Sequence, residues 1–185
     1  MKINFFSSAN SSCGYTLSEL IITIFIISVL TSIAIPGFTK WLPGYKLRIA
    51  AQELYSNIHH AKMLAIKENI SCRLVFAPDD NGYYIIERND GSIERTVFLN
   101  RNGDSIDIRF GSGDAEKAAN TSGGTAPEDG ISYSYNKATF NSRGLGKSGY
   151  VYLCNRNGGA YAVGTWASGV IILKKWNKLT DSWER

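Results

Sequence analysis

The sequence predicts an α+β protein: a long N-terminal α-helix, partly transmembrane, packed on an antiparallel β-sheet domain. Three observations predict it. From Leu20 to Thr39 the chain runs 20 residues without a formal charge. From Leu47 to Ala65 apolar residues recur at alternating spacings of four and three, and after Asn69 the pattern shifts to period two, punctuated by Asn-Gly and Asp-Gly. Composition agrees: 18 Gly, only 4 Pro, and 10 Tyr, 8 Phe and 4 Trp among 185 residues suit strands joined by tight turns. That length holds the helix and one globular domain. A net charge of +4 is too small to argue for nucleic acid by itself.

Residues 1–14, M-K-I-N-F-F-S-S-A-N-S-S-C-G, are polar with a single Lys2. They lack the apolar core and small-residue cleavage site of a secretory signal. The uncharged run that follows is long enough, as a helix, to cross a hydrocarbon core of about 30 Å. Glu19 stands at its start, five residues after Gly14. An ionised acid at that depth costs on the order of 3 kcal/mol, so it calls for a partner or a function. Pro36-Gly37 and Pro43-Gly44 predict a bend or local unwinding, because proline removes a backbone donor and crowds the preceding turn. Trp41 and Tyr45, with Lys40, Lys46 and Arg48, suit a membrane interface.

From Leu42 to Asn69 the helix becomes amphipathic. Leu47, Ala51, Leu54, Ile58, Ala61 and Ala65 share a face that should lie on a sheet, while Lys46, Gln52, Glu53, Asn57, His60, Lys67 and Glu68 fall mostly elsewhere. His59 and His60 are adjacent and read as solvent-facing, not as a metal pair. Asn69 ends the helix. Strands follow over Ile70 to Ala77, Tyr83 to Arg88 and Ser92 to Leu99, joined as a meander by Asp79-Asp80-Asn81-Gly82 and Asn89-Asp90-Gly91. Ser105 to Phe110 alternates cleanly as a fourth strand, with Ile106, Ile108 and Phe110 inward. Gly111 to Gly130 has no aromatic and no large apolar residue. It reads as a mobile exposed loop, either a tolerated insertion or a subunit or substrate contact. Val151, Leu153, Val163, Val170 and Ile172, with Tyr150, Tyr152, Tyr161 and Trp166, supply two or three more antiparallel strands facing the helix. Trp176 to Arg185 is a short polar tail in which Trp183 caps the sheet edge.

Gly14-Tyr15-Thr16-Leu17-Ser18-Glu19-Leu20, followed by an apolar run ending in Ile35-Pro36, resembles the class III leader of type IV pilins and type II secretion pseudopilins. Two further segments resemble the GspH/FimT branch of minor pilins and pseudopilins: Ala138 to Gly146, with its F-N-S-R-G turn, and Ala167-Ser168-Gly169-Val170 leading into a last strand. The family more often has Phe where this chain has Tyr15. The resemblance implies cleavage between Gly14 and Tyr15 by a prepilin peptidase and N-methylation of Tyr15. It divides the chain into a leader (1–14), a transmembrane polymerisation helix (15–39), its amphipathic continuation (40–69) and a β-rich periplasmic domain (70–185). It implies a structural subunit, inserted once in the inner membrane, that helps initiate or cap a type II secretion pseudopilus or a type IV pilus. The implied partners are the peptidase, the inner-membrane assembly platform, and other minor and major pilins or pseudopilins.

Glu19 and Pro36 are then the assembly residues. Cleavage leaves a free amine at Tyr15, a cation in an apolar medium, and a neighbour's Glu19 is its natural counter-charge. Cys13 leaves with the leader, so Cys72 and Cys154 remain, either bridged or as two buried free thiols. Asn141-Ser142-Arg143-Gly144 is a turn that frees Arg143 to pin a loop through nearby carbonyls or a partner acid.

No motif supports catalysis, a metal site or a cofactor: the chain has no CxxC pair, H-E-x-x-H, Walker loop or G-x-S-x-G. The alternative function is DNA binding of the FimT-like kind. There a G-R-x-R-like stretch carries the contact. Here Gly169-Val170-Ile171-Ile172 replaces both arginines with apolar residues, leaving Lys174, Lys175 and Lys178 as weak candidates.

Overall fold

The structure is a computed structural model that describes residues 14–78, 82–100, 108–120 and 124–185. The leader up to Cys13, Asp79-Asp80-Asn81, and Ser105 to Asp107 with Ile106 lie outside the described residues. The chain forms two units, Met1–Lys40 and Trp41–Arg185.

Helix α1 runs Leu17–Glu68. Its start is fixed by Thr16, whose carbonyl accepts the Leu20 N–H at 3.2 Å and whose hydroxyl accepts the Glu19 N–H at 3.2 Å. Thr16 is thus an N-cap with a Glu at the third helical position, the T-x-x-E arrangement of a capping box. Its end is fixed by Asn69, which takes a φ of +54°, while Ile70 N–H returns to the Ala65 carbonyl at 3.1 Å. That is a Schellman-type stop. The expected unwinding at Pro36 or Pro43 does not occur: the backbone is helical through both. Each proline removes one hydrogen bond, and the turns on either side keep theirs.

Among the described residues of the second unit, nine strands form two antiparallel sheets. β1 (Cys72–Ala77), β2 (Tyr83–Arg88) and β3 (Ile93–Phe98) make the expected meander, and β5 (Lys137–Phe140) joins its other edge, giving the order β3-β2-β1-β5. The second sheet has the order β4-β6-β7-β8-β9, from β4 (Ile108–Phe110), β6 (Gly149–Asn155), β7 (Ala160–Thr165), β8 (Ile171–Asn177) and β9 (Ser182–Glu184). All six stripe residues of α1 are buried, at 0–1% exposure, against Leu74, Ile86 and Phe140 of one sheet and Val151, Leu153 and Val163 of the other. Full burial of each Leu or Ile contributes about 1.5–3 kcal/mol. Asn57, expected off this face, is buried too; its amide donates to Tyr84 Oη at 2.7 Å, and its carbonyl accepts from Arg95 at 3.0 Å.

The strand period decides the other face. With Val151 and Leu153 turned to the helix, Tyr150, Tyr152 and Cys154 point the opposite way. This corrects the expectation that Tyr150 and Tyr152 face the helix; Tyr161, opposite Leu153 on the ladder, does pack on the helix side. Trp166 and Val170 likewise stay exposed, at the turn between β7 and β8. The far face is covered by the segment expected to be a mobile exposed loop. Its Ala115 and Ala119 are buried at 0–1%, and it closes through a Lys117–Thr125 bridge. Small residues pack here because the aromatics beneath supply the bulk: Tyr152 Oη accepts the Ala119 N–H at 2.8 Å, and Trp183 Nε1 donates to the Lys117 carbonyl at 2.8 Å. Within the expected polar tail, Trp176 and Asn177 end β8 and Ser182–Glu184 form β9, with Trp183 edge-on to Trp176 at 5.2 Å.

Candidate functional site

In the first unit, every residue from Gly14 to Lys40 is exposed. A helix that is apolar on all sides and buries none of that surface requires lipid or other helices around it. Its hydroxyls are already satisfied: Thr23, Ser28, Thr31, Ser32 and Thr39 each donate to a carbonyl three or four residues earlier, at 2.7–3.2 Å. The run from Leu20 to Thr39 therefore presents no unpaired hydroxyl to a hydrocarbon medium. By length and hydropathy it is able to cross a membrane.

Glu19 is the one formal charge between Gly14 and Thr39. It lies in the first turn, where the helix dipole favours an anion. Among the described residues no cation pairs with it. Gly14 and Tyr15 precede the helix, and Tyr15 is 85% exposed. The proposed scissile bond is thus in accessible chain just ahead of the Thr16 cap. The T-x-x-E signal is present in the sequence and marks Glu19 as a helix-start residue.

The remaining candidates lie in the second unit. Cys72 is in the core under α1, and Cys154 sits on the far face with Ala115, Ala160 and Trp176; both are free thiols. The bridge considered for them is not formed, because they lie in different clusters on opposite faces of the second sheet. Burial pushes the Cys72 thiol up.

In the turn after β5, Asn141 rather than Arg143 does the pinning. Its side-chain oxygen accepts the N–H groups of Arg143 and Leu145, both at 3.0 Å, while Arg143 itself is exposed. Gly144 takes a φ of +73°, and a Cβ there would lie 2.8 Å from Ile66 Cδ1 of α1. Lys62 ties α1 to the neighbouring turn by donating to the Gly169 carbonyl at 3.0 Å.

The three lysines after β8 begins do not form one cationic face. Lys174 is half-buried and donates to the Ala119 carbonyl at 2.6 Å, and burial lowers its pKa. Lys178 pairs with Asp114 at 2.8 Å. Lys175 is exposed and, by the strand period, points away from Lys174.

A methylation leader ahead of a fully exposed apolar helix, with that helix continuing onto two antiparallel sheets, has a match among known families. The profile described as Type II transport protein GspH matches residues 50–169, well over half of the chain. This protein belongs to the GspH family. The Prokaryotic N-terminal methylation motif matches residues 9–35. The chain is similar to two solved structures. One is the type IV minor pilin FimU of Pseudomonas aeruginosa (strain PAO1), at 17% identity over 70% of this chain and 88% of that one, TM-score 0.45. The other is the minor pseudopilin EpsH from the Type 2 Secretion System of Vibrio cholerae, at 11% identity over 69% of this chain and 95% of that one, TM-score 0.47. No significant match is found among curated proteins. This GspH-family chain is thus a pilin-like subunit, of a family whose members are structural components and not enzymes.

Proposed function

We propose that this GspH-family protein is a minor pilin or pseudopilin that helps initiate or cap a type II secretion pseudopilus or type IV pilus. In this reading a prepilin peptidase cuts between Gly14 and Tyr15, the new N-terminus is methylated, and the segment from Tyr15 to Thr39 holds the subunit in the inner membrane with the β domain in the periplasm. An assembly platform then extracts it into a filament of other minor and major subunits. The observation that carries the reading is the apolar helix: it exposes every residue of its uncharged run and holds one carboxylate, Glu19, for which no described residue supplies a cation. A free amine on a neighbouring Tyr15 answers that charge.

The test is mass spectrometry of the native protein's N-terminus combined with filament assembly by Glu19→Ala. The expected result is a chain beginning at methylated Tyr15, and a variant that is processed and stays in the membrane but is lost from filaments. Retention of Met1, or wild-type incorporation of the variant, overturns the reading.

A further inference from the structure

Strand β8 has two partners of unequal reach: β7 pairs with residues 171–175, whereas β9 pairs only with residues 175–177. The register decides which backbone groups this leaves open. In the turn ahead of β8 the Trp166 N–H bonds the Val170 carbonyl, so the bonded pairs with β7 fall on Ile172 and Lys174. Ile171 and Leu173 therefore turn their N–H and C=O groups away from β7, and no described residue bonds them there. Beside this edge lies a groove of about 380 Å³, with Tyr55 of α1, Val170 and Arg185 around it. Open edges are normally blunted by a charge, a proline or a bulge. The run Val170-Ile171-Ile172-Leu173 has neither charge nor proline, and its register with β7 is unbroken.

We propose that this edge takes up an extended, acidic segment of another polypeptide, which adds as a strand in line with β9. Two donor and acceptor pairs about 7 Å apart match alternate residues of one extended chain. A nucleic-acid backbone offers phosphate acceptors only and leaves the two carbonyls unanswered. The incoming residues opposite Ile171 and Leu173 fall on the helix side, where both pack with the core and with Tyr55, so apolar residues fit at alternate positions. Charge selects the rest of the segment. No Asp or Glu occurs over residues 54–67 of α1 or over residues 130–180. Lys62 stands at the Val170 end, donating to the Gly169 carbonyl at 3.0 Å, and Arg143 is exposed in the adjoining turn. Glu184 turns its carboxylate back to Asn177 Nδ2 at 2.7 Å and Thr180 Oγ1 at 3.1 Å. Carboxylates on the segment are therefore met by cations. A second copy's own edge does not fit: pairing Ile171 with Leu173 sets Gly169 opposite Lys175, the place Glu184 holds. The inference concerns the second unit alone and stands whether or not α1 spans a membrane.

The test offers the full-length chain, in a nonionic detergent, the end-capped synthetic peptide D-V-T-V-S-V-D and follows amide hydrogen exchange residue by residue. Without peptide, Ile171 and Leu173 should exchange about tenfold or more faster than Ile172 and Lys174. With it, those two should slow to the rate of their bonded neighbours. A peptide carrying lysines in place of the aspartates, or one N-methylated along its inner residues, should bind about tenfold or more weakly. Val170→Asp should bring a similar loss for the acidic peptide, while Leu179→Asp, which adds the same charge at an exposed position outside the groove, should not. The altered peptides probe the unmodified chain, so the test holds even if Val170→Asp folds poorly. Equal exchange along residues 171–174 in the free chain means the edge is already covered, and no slowing at millimolar peptide means it accepts no strand; either overturns the proposal. Equal binding of the lysine peptide overturns the acidic partner. If an oligothymidylate instead slows the same amides and depends on Val170, the groove belongs to nucleic acid and the peptide partner is overturned.

Discussion

The ammonium of Lys174 donates to the carbonyl oxygen of Ala119 at 2.6 Å, 5.7 Å from the centre of the Tyr150 ring. This contact fastens the segment around Ala119 to the outer face of the second sheet. Lys117 adds an ion pair to Asp181, and Lys178 one to Asp114. Those two are exposed and contribute little; the half-buried Lys174 bond is the stronger. Lys174→Ala is expected to cost about 1 kcal/mol in urea unfolding and, more specifically, to raise hydrogen exchange at Ala115 and Ala119 while leaving α1 unchanged.

The two cysteines give a redox prediction. Since both thiols are buried on opposite faces of the sheet, both should be alkylated in the unfolded protein without reductant, and neither quickly in the folded one. Dithiothreitol should leave the melting temperature unchanged. Cys154→Ser, which places a hydroxyl among Ala115, Ala160 and Trp176, is expected to cost about 1–3 kcal/mol.

Acid should weaken the first sheet through one pair. Arg73 donates to Glu87 from Nε at 2.8 Å and from Nη2 at 2.7 Å, across the β1–β2 ladder. This bond holds the Glu87 carboxyl below the usual carboxylate range. A depressed acid stabilises the fold fully above its ordinary value, about 4.3, and that contribution is lost as pH falls through the lower folded value. Because the pair is partly solvated, Glu87→Gln should cost only about 0.5–1 kcal/mol at pH 6, measured by urea midpoint, and the difference from wild type should shrink towards pH 3.

The turns at Gly144 and Gly169 touch through backbone. Gly169 has a φ of +79°, and a Cβ there would lie 2.0 Å from the Gly144 carbonyl oxygen. Neither the conformation nor the contact yields to a side-chain shift. Gly169→Ala should therefore destabilise by about 2 kcal/mol or more, well beyond Lys62→Met, which removes only the bond that Lys62 makes to the Gly169 carbonyl. Thermal unfolding of both variants checks the order.

Much of this protein is written in local pattern. Helix limits are signalled by Thr16 and Asn69, the buried stripe by the four-three spacing of Leu47 to Ala65, and the meander by alternation around Asn89-Asp90-Gly91. These are properties of a few residues and their neighbours, so one chain suffices to reveal them. The N-terminal motif is of the same kind, being contiguous.

Only the tertiary structure decided what happens behind the second sheet. A run such as S-G-D-A-E-K-A-A-N looks unable to bury anything, because its own side chains are small or charged. Its alanines are buried because Tyr150, Tyr152, Trp176 and Trp183, drawn from three strands far along the chain, provide the surface they pack on. The same parity that turns Tyr152 outward turns Cys154 away from Cys72, and it separates Lys174 from Lys175. Which way a strand's odd residues face is set by what the helix covers, and that choice belongs to the fold as a whole.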